Sequence, residues 1–166
     1  MELYLLRHAI AVPRETPGYD DDSKRPLTPE GKRKMRRIAG AMQALDVQFD
    51  LILSSPFTRA RQTAEIVAEV FQAEKKLVLE DTLAVGGDLR TLINRINTAY
   101  GTLERIMLVG HEPSMSELIS VLIAGDTRVS ITLRKGGLCK LTTSALRYGQ
   151  CATLDCLLAP RQLTRL

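Results

Sequence analysis

Residues 3–9 read Leu3-Tyr4-Leu5-Leu6-Arg7-His8-Ala9, an apolar run that ends abruptly in an arginine and a histidine. Nothing in it recurs with a helical period, and its shortness matches a buried strand. The chain then turns irregular from Ala9 to Leu27, where Pro13, Pro17, Gly18 and the acidic Asp20-Asp21-Asp22 mark a loop. Arg7 and His8 therefore stand where a strand stops. In open α/β sheets the ligand crevice lies just beyond the carboxyl ends of the strands. The chain has two histidines, His8 and His111, and the second also follows an apolar run, Ile106-Met107-Leu108-Val109-Gly110.

Beyond the loop, Thr28-Pro29-Glu30 is a helix start, with a capping hydroxyl, a proline at the first helical position and an acid in the first turn. Met35, Ile38, Ala39, Met42 and Leu45 follow at helical spacing. Phe49 to Leu53 predicts a second buried strand, and Ser54-Ser55-Pro56 repeats the hydroxyl-then-proline start before a helix from Pro56 to about Phe71. Leu77 to Glu80 predicts a third strand, and Asp88 is placed to cap a helix from Leu89 to Tyr100. A fourth strand is expected over Ile106 to Val109, and a helix after His111-Glu112-Pro113 through Ile123. Strands alternating with helices indicate a parallel sheet covered on both faces. Leu138 to Thr142 and Thr153 to Leu158, joined through Arg147-Tyr148-Gly149, read as an antiparallel addition at one edge. The expected fold is a three-layer α/β/α sandwich, a mainly parallel sheet with an antiparallel C-terminal edge. With 166 residues it is expected to form one domain over residues 1–166.

Composition narrows the function classes. The net charge is +4, with much of the positive charge between Lys24 and Arg37. A solvated helix face accounts for such a cluster, and an acidic protein partner is the next reading. There is no tryptophan and aromatics make up 4% of the chain, so a stacking platform is poorly supplied and no nucleic-acid partner is expected. No apolar stretch approaches the roughly 20 residues that cross a membrane. Arg7 and His8 interrupt the N-terminal run where a signal peptide would continue, so a cytoplasmic protein without a membrane partner is expected. Cys139, Cys151 and Cys156 fit neither a disulfide framework nor a zinc spacing, and read as small buried hydrophobes in strands. The oligomeric state stays open.

In a parallel sheet, the ends of strands one and four expose Arg7, His8 and His111 on one side. The end of strand two delivers Ser54 and Ser55 there, with Arg59 in the first turns of the next helix. Helical side chains lean toward the N-terminus, so Arg59 can reach back over the strand ends. Two arginines and two histidines then converge, a group suited to an anion with several oxygens, because arginine forks match phosphate oxygens. A neutral histidine among them can attack phosphorus if its other ring nitrogen donates to a fixed acceptor. Gly86-Gly87 and Gly136-Gly137 lack the lysine and spacing of a phosphate-binding loop. No acid-rich set for magnesium stands at these strand ends, so no metal or other cofactor is expected.

These residues also resemble a family. Leu5-Leu6-Arg7-His8-Ala9 is similar to the "RHG" signature of the histidine phosphatase superfamily, which includes phosphoglycerate mutases. Arg25-Pro26-Leu27-Thr28-Pro29-Glu30-Gly31 resembles its "LTxxG" helix start, and the segment from Ser54 to Ala64 its "SSPxxRAxQTA" motif. Val109-Gly110-His111-Glu112-Pro113 resembles the second-histidine motif. The resemblance implies a phosphoglycerate-mutase-like fold, with His8 as the nucleophile that forms a phosphohistidine, and Arg7, Arg59 and His111 holding the phosphoryl group. Within the superfamily the short chain, the Arg-Pro-Leu-Thr and Gly-His-Glu-Pro segments and the Leu-Leu-Ala-Pro-Arg ending resemble the SixA type of phosphohistidine phosphatase. That implies a metal-independent enzyme whose partner is a phosphohistidine-bearing phosphotransfer protein.

Two departures stand out. Ala9 replaces the signature glycine, and the "LxE" segment that carries a general acid in mutases and ester phosphatases reads Leu83-Ala84-Val85. Glu80 and Asp88 are the nearby candidates for an acid. An alkoxide leaving group benefits strongly from protonation, whereas imidazole, with a pKa near about 6.5, needs it far less. A missing acid therefore suits phosphohistidine. The alternatives are a small-molecule phosphomonoesterase or mutase-like enzyme, using Glu80 or Asp88, and a non-catalytic phosphoprotein-binding module.

Overall fold

The computed structural model describes residues 1–165. Six strands, β1 (Glu2–Arg7), β2 (Leu51–Ser54), β3 (Leu77–Leu79), β4 (Arg105–Gly110), β5 (Leu138–Thr143) and β6 (Ala152–Leu158), form one sheet in the order β3-β2-β4-β1-β5-β6. The first four are parallel, and β5 and β6 add antiparallel at one edge, as the sequence indicates. The second strand starts two residues later than its apolar run.

The helices are α1 (Pro29–Ala44), α2 (Thr58–Phe71), α3 (Leu89–Tyr100), α4 (Ser114–Ala124) and α5 (Pro160–Leu163). Alternation along each strand divides the core in two. Tyr4, Leu6, Ile52, Met107 and Val109 join Met35, Ile38, Met42, Ala64, Val67 and Leu163 of α1, α2 and α5. Leu3, Leu5, Leu53, Ile106 and Leu108 join Leu92, Ile96, Leu118 and Leu122 of α3 and α4. The result is the three-layer sandwich. Leu5 and Leu6 are both fully buried, one on each face. At roughly 1.5–3 kcal/mol for each such side chain, they hold β1 in the middle of the sheet and so determine where Arg7 and His8 emerge.

Local signals agree with the caps. The Thr28 hydroxyl accepts from the Gly31 amide at 2.9 Å, and the Asp88 carboxylate from the Thr91 amide at 2.7 Å. Gly31 is required by close approach, since a Cβ there would lie 2.1 Å from the Ile10 carbonyl oxygen. The Ser54-Ser55-Pro56 start is corrected: α2 begins at Thr58 with Phe57 as its cap. The Ser55 hydroxyl is turned instead to the Phe57 amide and to His111. The cysteine reading holds for Cys139, which is buried in β5, but Cys151 and Cys156 are only half-buried. No described helix is long and apolar enough to cross a membrane.

Candidate active site

The chain leaves β1 toward α1 on one face of the sheet and leaves the adjacent β4 toward α4 on the other. That divergence opens a crevice at the carboxyl ends of the two strands. The His8 amide donates to the Gly110 carbonyl at 3.1 Å, which extends the pairing past the end of β1 and brings His111 alongside. The two imidazole centres lie 5.1 Å apart.

Arg59 reaches back from the first turn of α2, as its helical position predicts, and its side chain is 2% exposed. Its Nε lies 3.3 Å from His8 Nε2. The neighbouring residues of the same motif hold the frame. Gln62 Oε1 accepts from the Leu27 amide at 2.8 Å, and Thr63 Oγ1 accepts from the Ala9 amide at 3.0 Å. Arg7 gives one guanidinium nitrogen to the Leu133 carbonyl at 2.9 Å, while its buried Nε has no partner. Ser55 arrives as expected and meets His111 Nε2 at 2.8 Å, but the Ser54 hydroxyl donates to the Ser55 carbonyl.

Arg7, His8, Arg59 and His111 line a cleft of about 350 Å³ that also receives Arg14, Arg25, Lys135, Glu112 and Val85. Positive charge dominates it. Asp22 braces Arg59 without lining the cleft, accepting from Arg59 Nη2 at 3.0 Å with its carboxylate and from Nη1 at 2.8 Å with its carbonyl. Its other carboxylate oxygen accepts from Arg25 Nε at 2.8 Å. Burial works against the Asp22 anion, but the two guanidinium groups outweigh it and hold the carboxyl below its usual range. Asp22, Arg25 and Lys135 were not among the sequence candidates. Arg25 had a signal, since it opens the Arg-Pro-Leu-Thr segment, whereas Lys135 follows no strand or helix start and reaches the cleft only through the fold.

Proton positions at the histidines follow from their partners. His8 Nδ1 lies 2.8 Å from the Ala9 carbonyl oxygen, which can only accept, so Nδ1 carries the proton and Nε2 keeps its lone pair in the cleft. At His111, Nε2 meets the Ser55 hydroxyl and Nδ1 is buried without a protein partner. Burial pushes His8 down to about 3, against the pull of the Ala9 carbonyl and helped by the charges of His111, Arg59 and Arg7. Burial, with Arg59 next, pushes His111 down to about 4. Both rings are therefore neutral at pH 7. With two histidines in the chain, imidazole NMR should show both holding neutral shifts from pH 8 down to about 5 in the free protein, whereas an exposed ring would titrate near about 6.5. A midpoint near 6.5 for either ring would contradict the burial argument. The unfolded chain binds more protons than the folded one between pH about 6.5 and about 4, so stability falls as pH drops through that window.

Comparison with known proteins agrees with this geometry. The profile of the histidine phosphatase superfamily, branch 1, matches residues 3–84. An uncharacterized protein of Picosynechococcus sp. is 35% identical over 148 residues, covering 89% of this chain and 88% of that protein. The chain belongs to the histidine phosphatase superfamily. Phosphohistidine phosphatase SixA of Escherichia coli K12 is 26% identical over 128 residues, 76% of this chain and 77% of SixA. A structure of SixA complexed with tungstate superposes with a TM-score of 0.82 at 24% identity, covering 98% of this chain and 99% of the other. This histidine phosphatase is of the SixA type, a hydrolase with the phosphoglycerate-mutase-like fold.

The superfamily's features that depart in this chain acquire physical reasons. Ala9 is buried, but the non-glycine residues with left-handed backbone are Asp46 and Gln72, so the residue after His8 needs no glycine. The acid candidates Glu80 and Asp88 are corrected. Glu80 accepts from Thr82 and pairs with Arg95 at 3.2 Å, Asp88 is occupied as the cap of α3, and neither lines the cleft. Val85, where the superfamily's acid would stand, does line it. The cleft carboxylate is Glu112, and both its oxygens are held by Ser116 in the first turn of α4.

Proposed function

We propose that this phosphatase hydrolyses phosphohistidine on a phosphotransfer protein, through a phosphohistidine intermediate on His8 and without a metal ion. The observation that carries the proposal is the His8 tautomer, with Nδ1–H fixed on the Ala9 carbonyl and the Nε2 lone pair engaged only by the long 3.3 Å contact from Arg59 Nε. In the first step the Nε2–P bond forms as the substrate N–P bond breaks. The departing ring, protonated on its other nitrogen, leaves as neutral imidazole. The positive charge arising on phospho-His8 is met at Nδ1–H by the Ala9 carbonyl. In the second step water attacks phosphorus, the His8 Nε2–P bond breaks, and phosphate leaves with the water's proton shared between its oxygens and solvent.

Charge on the transferring oxygens is met by Arg7, whose Nε has no other partner, by Arg59, which exchanges its long bond to His8 for a phosphoryl oxygen, and by His111 Nδ1–H. His111 carries that proton on Nδ1 in the tautomer whose Nε2 accepts from the Ser55 hydroxyl 2.8 Å away. The SixA structure of the same fold is complexed with tungstate, an oxyanion like phosphate, which supports an oxyanion as the kind of ligand this fold takes. The missing acid favours a leaving group that needs none.

The test is phosphate release from a phosphohistidine-bearing phosphotransfer domain beside a simple alkyl phosphate, each with and without chelator. The expected result is fast, chelator-insensitive release from the phosphohistidine protein alone. Preference for the ester would support a phosphomonoesterase instead, and no release from either would support a binding module.

A further inference from the structure

Most arginines elsewhere on the surface have acidic partners: Arg61 pairs with Glu65, Arg95 with Glu80 and Arg128 with Asp126. Arg14, Arg25 and Arg59, which line the cleft, share Asp22, but along the surface next to them the pattern stops. Arg33, Lys34, Arg134, Lys135 and Arg161 have no carboxylate partner among the described residues. All but Lys135 also line adjoining hollows. One, of about 510 Å³, is bordered by Lys34, Arg134, Arg161 and the Ala159–Pro160 corner. The next, of about 530 Å³, is bordered by Arg33, Lys34, Arg37 and Thr164, with Glu30 the acid on its rim. Lys34 belongs to both.

A single turn joins these hollows to the catalytic cleft. Lys135 lines the cleft and Arg134 lines the first hollow. Between them and β5, Gly136 adopts φ +76° and packs so closely on α1 that a Cβ would lie 2.9 Å from Ile38 Cδ1. The same residue donates its amide to the Arg7 carbonyl at 3.0 Å. The backbone that carries Arg134 is thus bound on one side to the strand end bearing Arg7 and His8, and on the other to the helix bearing Lys34.

We propose that this basic track, Lys34, Arg134 and Arg161 beside the cleft mouth, is the docking surface for an acidic face of the phosphohistidine-bearing substrate protein. The inference rests on the phosphatase reading above and adds where its partner sits. Unpaired cations facing acids speed and orient encounter more than they alter the chemical step, and salt screens them over about 10 Å at 0.1 M. The track carries no aromatic side chain on which bases would stack, which favours protein over nucleic acid.

The experiment compares the wild type with the triple variant Lys34→Glu, Arg134→Glu, Arg161→Glu on two probes, a net-negative phosphotransfer domain phosphorylated on histidine and free phosphohistidine. The triple variant is expected to raise KM for the domain about tenfold or more while leaving kcat for the domain and all turnover of free phosphohistidine within about twofold. The wild-type KM for the domain should rise from about 0.03 to about 0.3 M salt, and the variant's should stay flat or fall, because salt then screens a repulsion instead of an attraction. Free phosphohistidine reports on the catalytic site, so its turnover by the wild type with no difference in KM for the domain between the two proteins overturns the docking surface alone. An equal loss on both probes also overturns it, as does a nucleic acid whose binding is abolished by the triple change while KM for the domain stays put. Failure of the wild type on both probes overturns the phosphatase reading and the docking surface with it.

Discussion

Replacing His8 with alanine is expected to lower phosphate release from a phosphohistidine protein by about 10⁴-fold or more, the scale seen when a covalent nucleophile is removed. The ring combines a fixed tautomer with a nitrogen lone pair held only by a long contact from Arg59. Its loss removes the bond-forming atom and leaves only the arginine-lined site to bind the anion. The fold should survive, because the His8 ring's hydrogen-bond partners are the Ala9 carbonyl and Arg59, while β1 is held by Leu3, Leu5 and Leu6. Wild-type protein quenched during turnover should carry acid-labile, alkali-stable phosphate, as a phosphoramidate does, and His8→Ala should carry none. Turnover of the variant within about tenfold of the wild type would remove His8 from the mechanism.

The second large effect concerns the position where the superfamily's acid is missing. Val85 lines the cleft on an exposed turn, so Val85→Glu would bring a carboxyl group to the departing side of a bound phosphoryl group. A positioned general acid contributes typically about 10²–10⁴-fold when the leaving group is a strong base. The substitution is therefore expected to raise kcat/KM for an alkyl phosphate by about 10² while changing phosphohistidine turnover only a few-fold. The contrast arises because an alkoxide must be protonated as it leaves, and an imidazole with a pKa near about 6.5 leaves without that help. An unchanged ester rate, with the fold intact, would show that the want of an acid at residue 85 does not determine the substrate preference.

Sequence patterns were sufficient wherever the signal was local. The apolar run ending in Arg7 and His8, the matching run before His111, and Thr28 and Asp88 as caps all depend on residues adjacent in the chain, and each stands in the structure as expected. Arg59 was legible because helix geometry constrains where a first-turn side chain can reach. Where the pattern misled, a tertiary partner had taken the group. Ser55 turned from the helix start to His111, and Glu80 turned from the cleft to Arg95.

What the sequence alone determined was the alternation of strands and helices, and hence the layered sheet and the strand ends where the chemistry gathers. Only the tertiary structure decided which residues complete the site. Asp22 braces Arg59 across 37 positions of sequence, Leu133 supplies its carbonyl to Arg7 across 126, and Lys135 enters the cleft because Gly136 lets its turn close on α1. Such partners leave no periodic or adjacent trace, since burial and charge pairing act through space, and only the folded sheet brings those positions together.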